Sequence, residues 1–208
     1  MSTGSFNRRV LVVDDNPSIH DDFRSILQSE TGLEAFGLAR SALFGGSIPV
    51  PSHESFQVDC VDQGQAALTA METARSEDRP YAVAFVDMRM PPGWDGLETI
   101  EHLWKADSRL QVVVCTAYSD QPWEEIRERI GRTDKLLILQ KPFNGIEALQ
   151  LATALCWKWD LANKAVGQLH ELSRLVEERT AELQRANQQL TDINGALMRT
   201  VVNLESAQ

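Results

Sequence analysis

Residues 81–96 read YAVAFVDMRMPPGWDG, an apolar run that stops at Asp87 and continues into a turn rich in proline and glycine. The run is continuous rather than alternating, which is typical of a strand that is covered on both faces in a parallel sheet. Three other runs have the same form: residues 10–15 (VLVVDD), 110–116 (LQVVVCT) and 135–141 (KLLILQK). The pattern predicts parallel strands of an α/β sheet.

Segments with helical spacing separate these runs. Residues 17–28 open with a proline, which favours a helix start, and their apolar residues recur at helical intervals. Further helices are predicted at residues 65–75, 96–105, 122–130 and from residue 146 onward, and residues 56–61 are predicted to form the second strand in chain order. Strands and helices therefore alternate, as expected for an α/β domain with right-handed crossovers.

Each run ends in a side chain suited to phosphoryl chemistry. Because the ligand site of such a sheet lies outside the carboxyl ends of its strands, these side chains should meet at one edge. Asp87 is a plausible nucleophile toward phosphorus. Asp14 and Asp15 would crowd it with negative charge, and a site made only of oxygen ligands favours Mg²⁺. Lys141 would supply a positive charge and Thr116 a hydroxyl donor for phosphoryl oxygens.

Four motifs carry a family resemblance: Asp14-Asp15, Asp87 with the following MRMPPGWDG, Thr116-Ala117 and Lys141-Pro142-Phe143. Occurring in this order, each at a predicted strand end, they resemble the receiver domains of two-component response regulators. The resemblance implies a flavodoxin-like, doubly wound, five-stranded parallel sheet with strand order 2-1-3-4-5.

The resemblance also implies roles for the matching residues. Asp87 is similar to the phosphoacceptor, which takes its phosphoryl group from a histidine kinase or a phosphotransfer protein. Mg²⁺ would be held directly by Asp15, Asp87 and the backbone carbonyl of Arg89, and Asp14 would act on it largely through water. Thr116 and Lys141 look like the residues that hold the phosphoryl oxygens, and the peptide bond between Lys141 and Pro142 is often cis in this family.

Two features depart from the family pattern. The loop at 90–96 has one residue more than usual and a doubled proline. The aromatic switch residue that often stands three positions before the lysine is replaced by Ile138, so Tyr118 becomes the nearest aromatic that could report the phosphorylated state. Both departures concern the conformational coupling rather than the phosphorylation.

The composition limits the function classes. A net charge of −10 without a basic patch argues against a nucleic-acid surface. Apolar runs too short for a membrane span and the lack of a signal peptide predict a cytoplasmic chain without membrane contact. With 208 residues, we expect a receiver domain at 1–158, with an insertion at 30–55, and a coiled-coil segment at 159–208.

The coiled-coil prediction follows from a seven-residue repeat: Leu169, Val176, Leu183, Leu190, Leu197 and Leu204. If these are d positions, the a positions include Asn187 and Asn194, polar residues that set the register and favour dimers. The alternative is a helix that folds back on its own domain. The expectation is a homodimer through residues 160–208 and a missing output domain, of the sensor-kinase or diguanylate cyclase type by resemblance only.

Two alternative functions remain open at this stage. A pseudo-receiver would be a dimerisation scaffold that never carries phosphate, although the acidic pair, acceptor, threonine and lysine are all intact. A metal-dependent phosphatase is disfavoured because Arg89 stands where its catalytic acid would be. No enzyme activity of its own is expected of this chain beyond self-phosphorylation and self-dephosphorylation.

Overall fold

The computed structural model describes residues 6–28, 55–117, 128–131 and 133–205, without the side chains at 192, 196–198 and 200–205. The strands are β1 (Arg9–Val13), β2 (Gln57–Val61), β3 (Val83–Asp87), β4 (Gln111–Ala117) and β5 (Leu136–Lys141). The helices are α1 (Pro17–Gln28), α2 (Gly64–Ser76), α3 (Gly96–Ala106) and α4 (Gly145–Glu205). All but the last residue of the predicted insertion at 30–55 and most of the predicted helix at 122–130 lie outside the described residues.

The strands form one parallel sheet in the order β2-β1-β3-β4-β5, which confirms the predicted flavodoxin-like topology. The inner strands β1, β3 and β4 are almost entirely buried, whereas β2 and β5 at the edges contain both buried and exposed residues. This burial explains the continuous apolar runs of the inner strands, which have helices over both faces and a neighbour on each side. The run at 135–141 is an exception, because it forms the edge strand β5 and its Leu137 and Ile138 are partly exposed.

Alternate residues of the strands enter two separate cores. Val10 and Val12 face the core that contains Phe23 of α1 and Leu149 of α4. Their neighbours Leu11 and Val13 face the core formed with α2 and α3. Because side chains alternate between the two faces of a strand, α1 and the first part of α4 cover one face of the sheet, and α2 and α3 cover the other.

Local hydrogen bonds set the helix starts beside the carboxyl ends of the strands. Asn16 precedes α1, and its side chain accepts bonds from the Ser18 N–H at 3.1 Å and the Ser18 hydroxyl at 2.8 Å. Asp95 caps α3 by accepting the Glu98 N–H at 2.7 Å. Asn and Asp are preferred at this position because their side chains satisfy backbone N–H groups that the helix leaves unpaired.

The last helix, α4, runs for 61 residues, and the chain divides into two compact units, Met1–Leu161 and Ala162–Gln208. A long C-terminal helix was predicted, and its existence is confirmed. Within the second unit, apolar side chains such as Leu169, Leu183 and Leu190 are exposed. Across the described residues no helix has the length and apolar character needed to cross a membrane.

Candidate functional site

The carboxyl ends of the strands bring the predicted site residues to one edge of the sheet. Asp14 directly follows β1, Asp87 ends β3, and Lys141 ends β5. The register pairs Asp87 with Cys115, so Thr116 lies one residue further toward the carboxyl end of β4. Because β3 lies between β1 and β4, Asp87 stands at the centre of this edge.

Lys141 joins two carboxylates. Its Nζ lies 2.6 Å from Asp14 Oδ2 and 2.6 Å from Asp87 Oδ1. The Asp14 side chain is only 4% exposed, that of Asp87 13% and that of Lys141 23%. Charge-assisted hydrogen bonds of this length are strong, and the shared ammonium group offsets the repulsion between the two carboxylates.

Backbone N–H groups orient the remaining carboxylate oxygens. Asp87 Oδ2 accepts the N–H of Arg89 at 3.0 Å, and Asp14 Oδ1 accepts the N–H of Asn16 at 3.0 Å. Each bond spans two residues, which is the local turn that aspartate favours. Both carboxylates are therefore held from two sides.

Burial and neighbouring charges shift the pKa values of the central pair. Burial raises the pKa of Asp87, with help from the Asp14 charge, and this outweighs the opposing effects of Lys141 and the Arg89 N–H. Burial alone would lower the pKa of Lys141, but its hydrogen bonds to Asp14 and Asp87 outweigh that and raise the pKa. Lys141 is thus held as a cation beside a carboxylate that is more basic than usual, a property that favours a nucleophile.

The other predicted site residues differ in their surroundings. Thr116 is buried, and its hydroxyl donates a long bond of 3.3 Å to the carbonyl of Ala117. Asp15 is exposed beside Asp14. Thr116 is also one of three switch candidates. Of the other two, Ile138 is a partly exposed residue of β5, and Tyr118 lies outside the described residues. The predicted cis bond between Lys141 and Pro142 is confirmed.

Gly96 is a positioning residue that the sequence reasoning missed. A Cβ on Gly96 would lie 2.5 Å from the carbonyl oxygen of Asp87 and 2.9 Å from Cα of Met88. The Gly96 N–H also donates to the Met88 carbonyl at 3.0 Å. The loop after Asp87 thus returns to the strand end, where only glycine fits. The signal was the Asp95-Gly96 pair, which was interpreted only as part of a family motif.

The loop at 90–96 contains a second unpredicted feature. Its Pro91–Pro92 peptide bond is cis, and Trp94 beyond it stacks on His102 of α3 with ring centroids 4.1 Å apart. Trp94 therefore anchors this loop to α3.

The donor set around Asp87 fits a hard divalent cation. Across the described residues, no group of three or more His, Cys, Asp and Glu side chains could hold a metal ion. Mg²⁺ does not need such a group, because it commonly takes one or two carboxylates and completes its shell with water and other oxygens. Asp14 and Asp87 already converge on one positive charge, and all their donor atoms are oxygens.

Comparison with known proteins defines the class. The family model described as "Response regulator receiver domain" matches residues 50–154, and this chain belongs to that family. Receiver domains of two-component systems generally bind Mg²⁺ at the phosphorylation site and interact with histidine kinases or phosphotransfer proteins.

Individual relatives agree with this assignment. The chain is 34% identical over 122 residues to the transcriptional regulatory protein TctD of Salmonella typhimurium. The aligned residues make up 59% of this chain and 48% of TctD. It therefore spans about half the length of the curated relatives it matches.

Solved structures share the fold. An adenylate cyclase from Rhodopirellula baltica has a TM-score of 0.56 at 21% identity, covering 78% of this chain and 97% of that chain. A CheY-like receiver domain protein from Methanospirillum hungatei has a TM-score of 0.52 at 19% identity, covering 74% and 98%.

Proposed function

We propose that this chain accepts a phosphoryl group on Asp87 from a histidine kinase or a phosphotransfer protein. The observation that carries the proposal is the contact of Lys141 Nζ with both Asp14 and Asp87, at 2.6 Å each. A pseudo-receiver scaffold has no use for such a cluster, because burying several charged groups costs desolvation free energy. A phosphorylation site needs these groups in this arrangement.

Asp15, Asp87 and the backbone carbonyl of Arg89 would hold Mg²⁺ directly, and Asp14 would act on the ion largely through water. The bound ion would neutralise charge on the carboxylates and on the incoming phosphoryl oxygens. This assignment agrees with the oxygen-only donor set and with the small exposed fraction of Asp14 and Asp87.

Transfer begins with attack of an Asp87 carboxylate oxygen on phosphorus. The P–N bond of a phosphohistidine donor breaks, and its electron pair passes to the imidazole nitrogen, so that Asp87 carries a mixed anhydride. Lys141 then binds one phosphoryl oxygen, since the ammonium group already lies beside Asp87, and the Thr116 hydroxyl donates to another. Attack by water on phosphorus later releases phosphate and restores the carboxylate.

The second unit provides a route for output. Leu169, Val176, Leu183 and Leu190 are each more than half exposed, and a single helix of this length is not expected to persist alone in water. A parallel two-stranded coil through residues 160–208 would cover these side chains. A dimeric output module of the diguanylate cyclase or histidine kinase type would suit such a stalk.

Acetyl phosphate with Mg²⁺ tests the acceptor. We expect the intact mass of the full chain to increase by one phosphoryl group, and EDTA to prevent the change. Asp87→Asn should remain unmodified, whereas Asp22→Asn, which alters an exposed carboxylate of α1, should behave like the wild type. A wild-type chain that stays unmodified at saturating donor would favour the scaffold function instead.

Light scattering tests the stalk. The full chain should have the mass of a dimer and a chain shortened to residues 1–161 that of a monomer, because the exposed leucines are removed with the second unit. If the full chain is a monomer at high concentration, the coiled-coil proposal is wrong, although phosphorylation of Asp87 could still be correct.

A further inference from the structure

The exposed surface of the stalk has three parallel rows of residues, each with a seven-residue repeat. The leucine row consists of Leu169, Val176, Leu183 and Leu190. The upstream row stands three residues before it and consists of Val166, Ser173, Thr180, Asn187 and Asn194. The downstream row stands three residues after it and consists of Leu172, Arg179, Ala186 and Ile193.

A two-stranded coil uses two such rows, at alternating spacings of three and four residues. The leucine row satisfies this rule with either neighbour. Paired with the upstream row, the leucine row occupies the d positions, and we call this contact surface the upstream seam. Paired with the downstream row, it occupies the a positions, and this surface is the downstream seam. The two seams differ by one seventh of a turn, so each helix would rotate by about 50° about its axis to exchange one seam for the other.

The two seams have different strengths. The upstream row is mostly polar, and its Asn187 and Asn194 are suited to setting the register at a cost in stability. The downstream row offers Leu172 and Ile193, which are 58% and 56% exposed and would be covered by a partner helix. The upstream seam thus favours a specific register, and the downstream seam buries more apolar surface.

The charged residue of the downstream row, Arg179, does not exclude the downstream seam. Arg179 pairs with Glu182 of the same helix at 2.6 Å, and Glu182 would lie at the edge of that seam. The guanidinium therefore has a partner when the seam closes over its aliphatic stem. The pair between Arg174 and Glu178 lies outside both seams and favours neither.

We infer that the stalk can join a second copy of this chain through either of two overlapping seams that share the leucine row. This inference rests on the proposed dimeric stalk and adds the mode of pairing. Such a stalk can change state by rotation without dissociating, since the leucine row stays in contact in both arrangements.

Cysteine cross-linking of the full chain separates the two seams. Asn187→Cys places the thiol at a core position of the upstream seam, and Ala186→Cys at a core position of the downstream seam. Arg185→Cys is the matched control, because residue 185 faces outward in both. Only core positions bring the two thiols of a parallel pair within disulfide distance. The native thiols Cys115 and Cys156 are buried, Cys60 is half-buried, and the wild-type chain controls for all three.

The expected result is that both Asn187→Cys and Ala186→Cys form cross-linked dimers severalfold faster than Arg185→Cys. Adding Ile193→Asn should slow cross-linking at position 186 and speed it at position 187, whereas adding Asn194→Leu should speed it at position 187. These changes are in the second unit, so they leave the sheet intact.

Cross-linking at only one of the two positions, or equal rates at 185, 186 and 187, would overturn the inference. Light scattering on the same samples distinguishes failure of the two-seam inference from failure of the proposed dimeric stalk. A dimer that cross-links at one position retains the proposed stalk and refutes the second seam, whereas a monomer refutes the stalk itself.

Discussion

Replacement of Lys141 by methionine tests the central contact of the site. Methionine keeps most of the volume of the lysine stem but removes the ammonium group that holds Asp14 and Asp87, each at 2.6 Å. Two largely buried carboxylates would then face each other without a cation. We expect Lys141→Met to be less stable than the wild type when no divalent cation is present.

The size of the effect follows from the burial of the three groups. Removing one partner of a fully buried ion pair costs about 3–5 kcal/mol. Since Lys141 is 23% and Asp87 13% exposed, water screens part of this interaction, and about 2–4 kcal/mol is a reasonable expectation. For a domain of this size the corresponding fall in Tm is about 5–15 °C.

The measurement is thermal unfolding of Lys141→Met and wild type in EDTA and in Mg²⁺. Mg²⁺ should stabilise the variant by about 2.7 kcal/mol at a concentration one hundred times the Kd of the variant. The gain should be smaller for the wild type, in which Lys141 already neutralises the same carboxylates. Lys105→Met, which removes an exposed lysine of α3, is the control and should match the wild type. Equal stability of Lys141→Met and wild type in EDTA, or an equal response to Mg²⁺, would refute the reasoning.

Two further predictions concern the residues around the site and the acid stability of the fold. Gly96→Ala should destabilise the protein by about 2–4 kcal/mol in urea unfolding. The new methyl group would meet the Asp87 carbonyl oxygen at 2.5 Å, so the loop would have to move away. The same variant should be phosphorylated more slowly by acetyl phosphate. Asp107→Asn should lower the free energy of unfolding by about 1–3 kcal/mol at pH 7. Burial by itself would raise the pKa of Asp107, but the hydrogen bonds from Arg109 outweigh this effect and lower the pKa below 3.8. A lowered pKa stabilises the fold fully above the unfolded-state pKa of about 3.9. The difference in stability between Asp107→Asn and wild type should therefore be full at neutral pH, begin to shrink below about pH 4 and be lost only below the lowered pKa of the folded state. A difference that does not shrink as the pH falls through this range would contradict the reasoning.

The predicted strands and helices agree closely with the structure. The helix predicted at 17–28 has the bounds of α1, and the predicted strands differ from β1 to β5 by one or two residues at their ends. This succeeded because local rules apply here: inner parallel strands are continuously apolar, and Pro17 and Asp95 stand where helices begin. The chemistry of the strand ends was predicted for the same reason, since it depends on residue type and position along the chain.

Close approach between segments was harder to predict. The need for glycine at position 96 arises because the loop after β3 folds back on the carbonyl of Asp87, which no local pattern records. The stacking of Trp94 on His102 also depends on how the loop meets α3. The role of Tyr118 and the dimeric state of the stalk remain predictions.

The sequence by itself determined the elements, their order and which polar side chains stand at the strand ends, because apolar periodicity and helix capping act over a few residues. Only the tertiary structure decided that one lysine serves two carboxylates. Lys141 is 127 residues from Asp14 and 54 from Asp87. These residues meet because β1 lies directly beside β3, and β5, which ends in Lys141, is separated from β3 only by β4. The strand order therefore sets the distances of the site, since it depends on packing across the whole sheet.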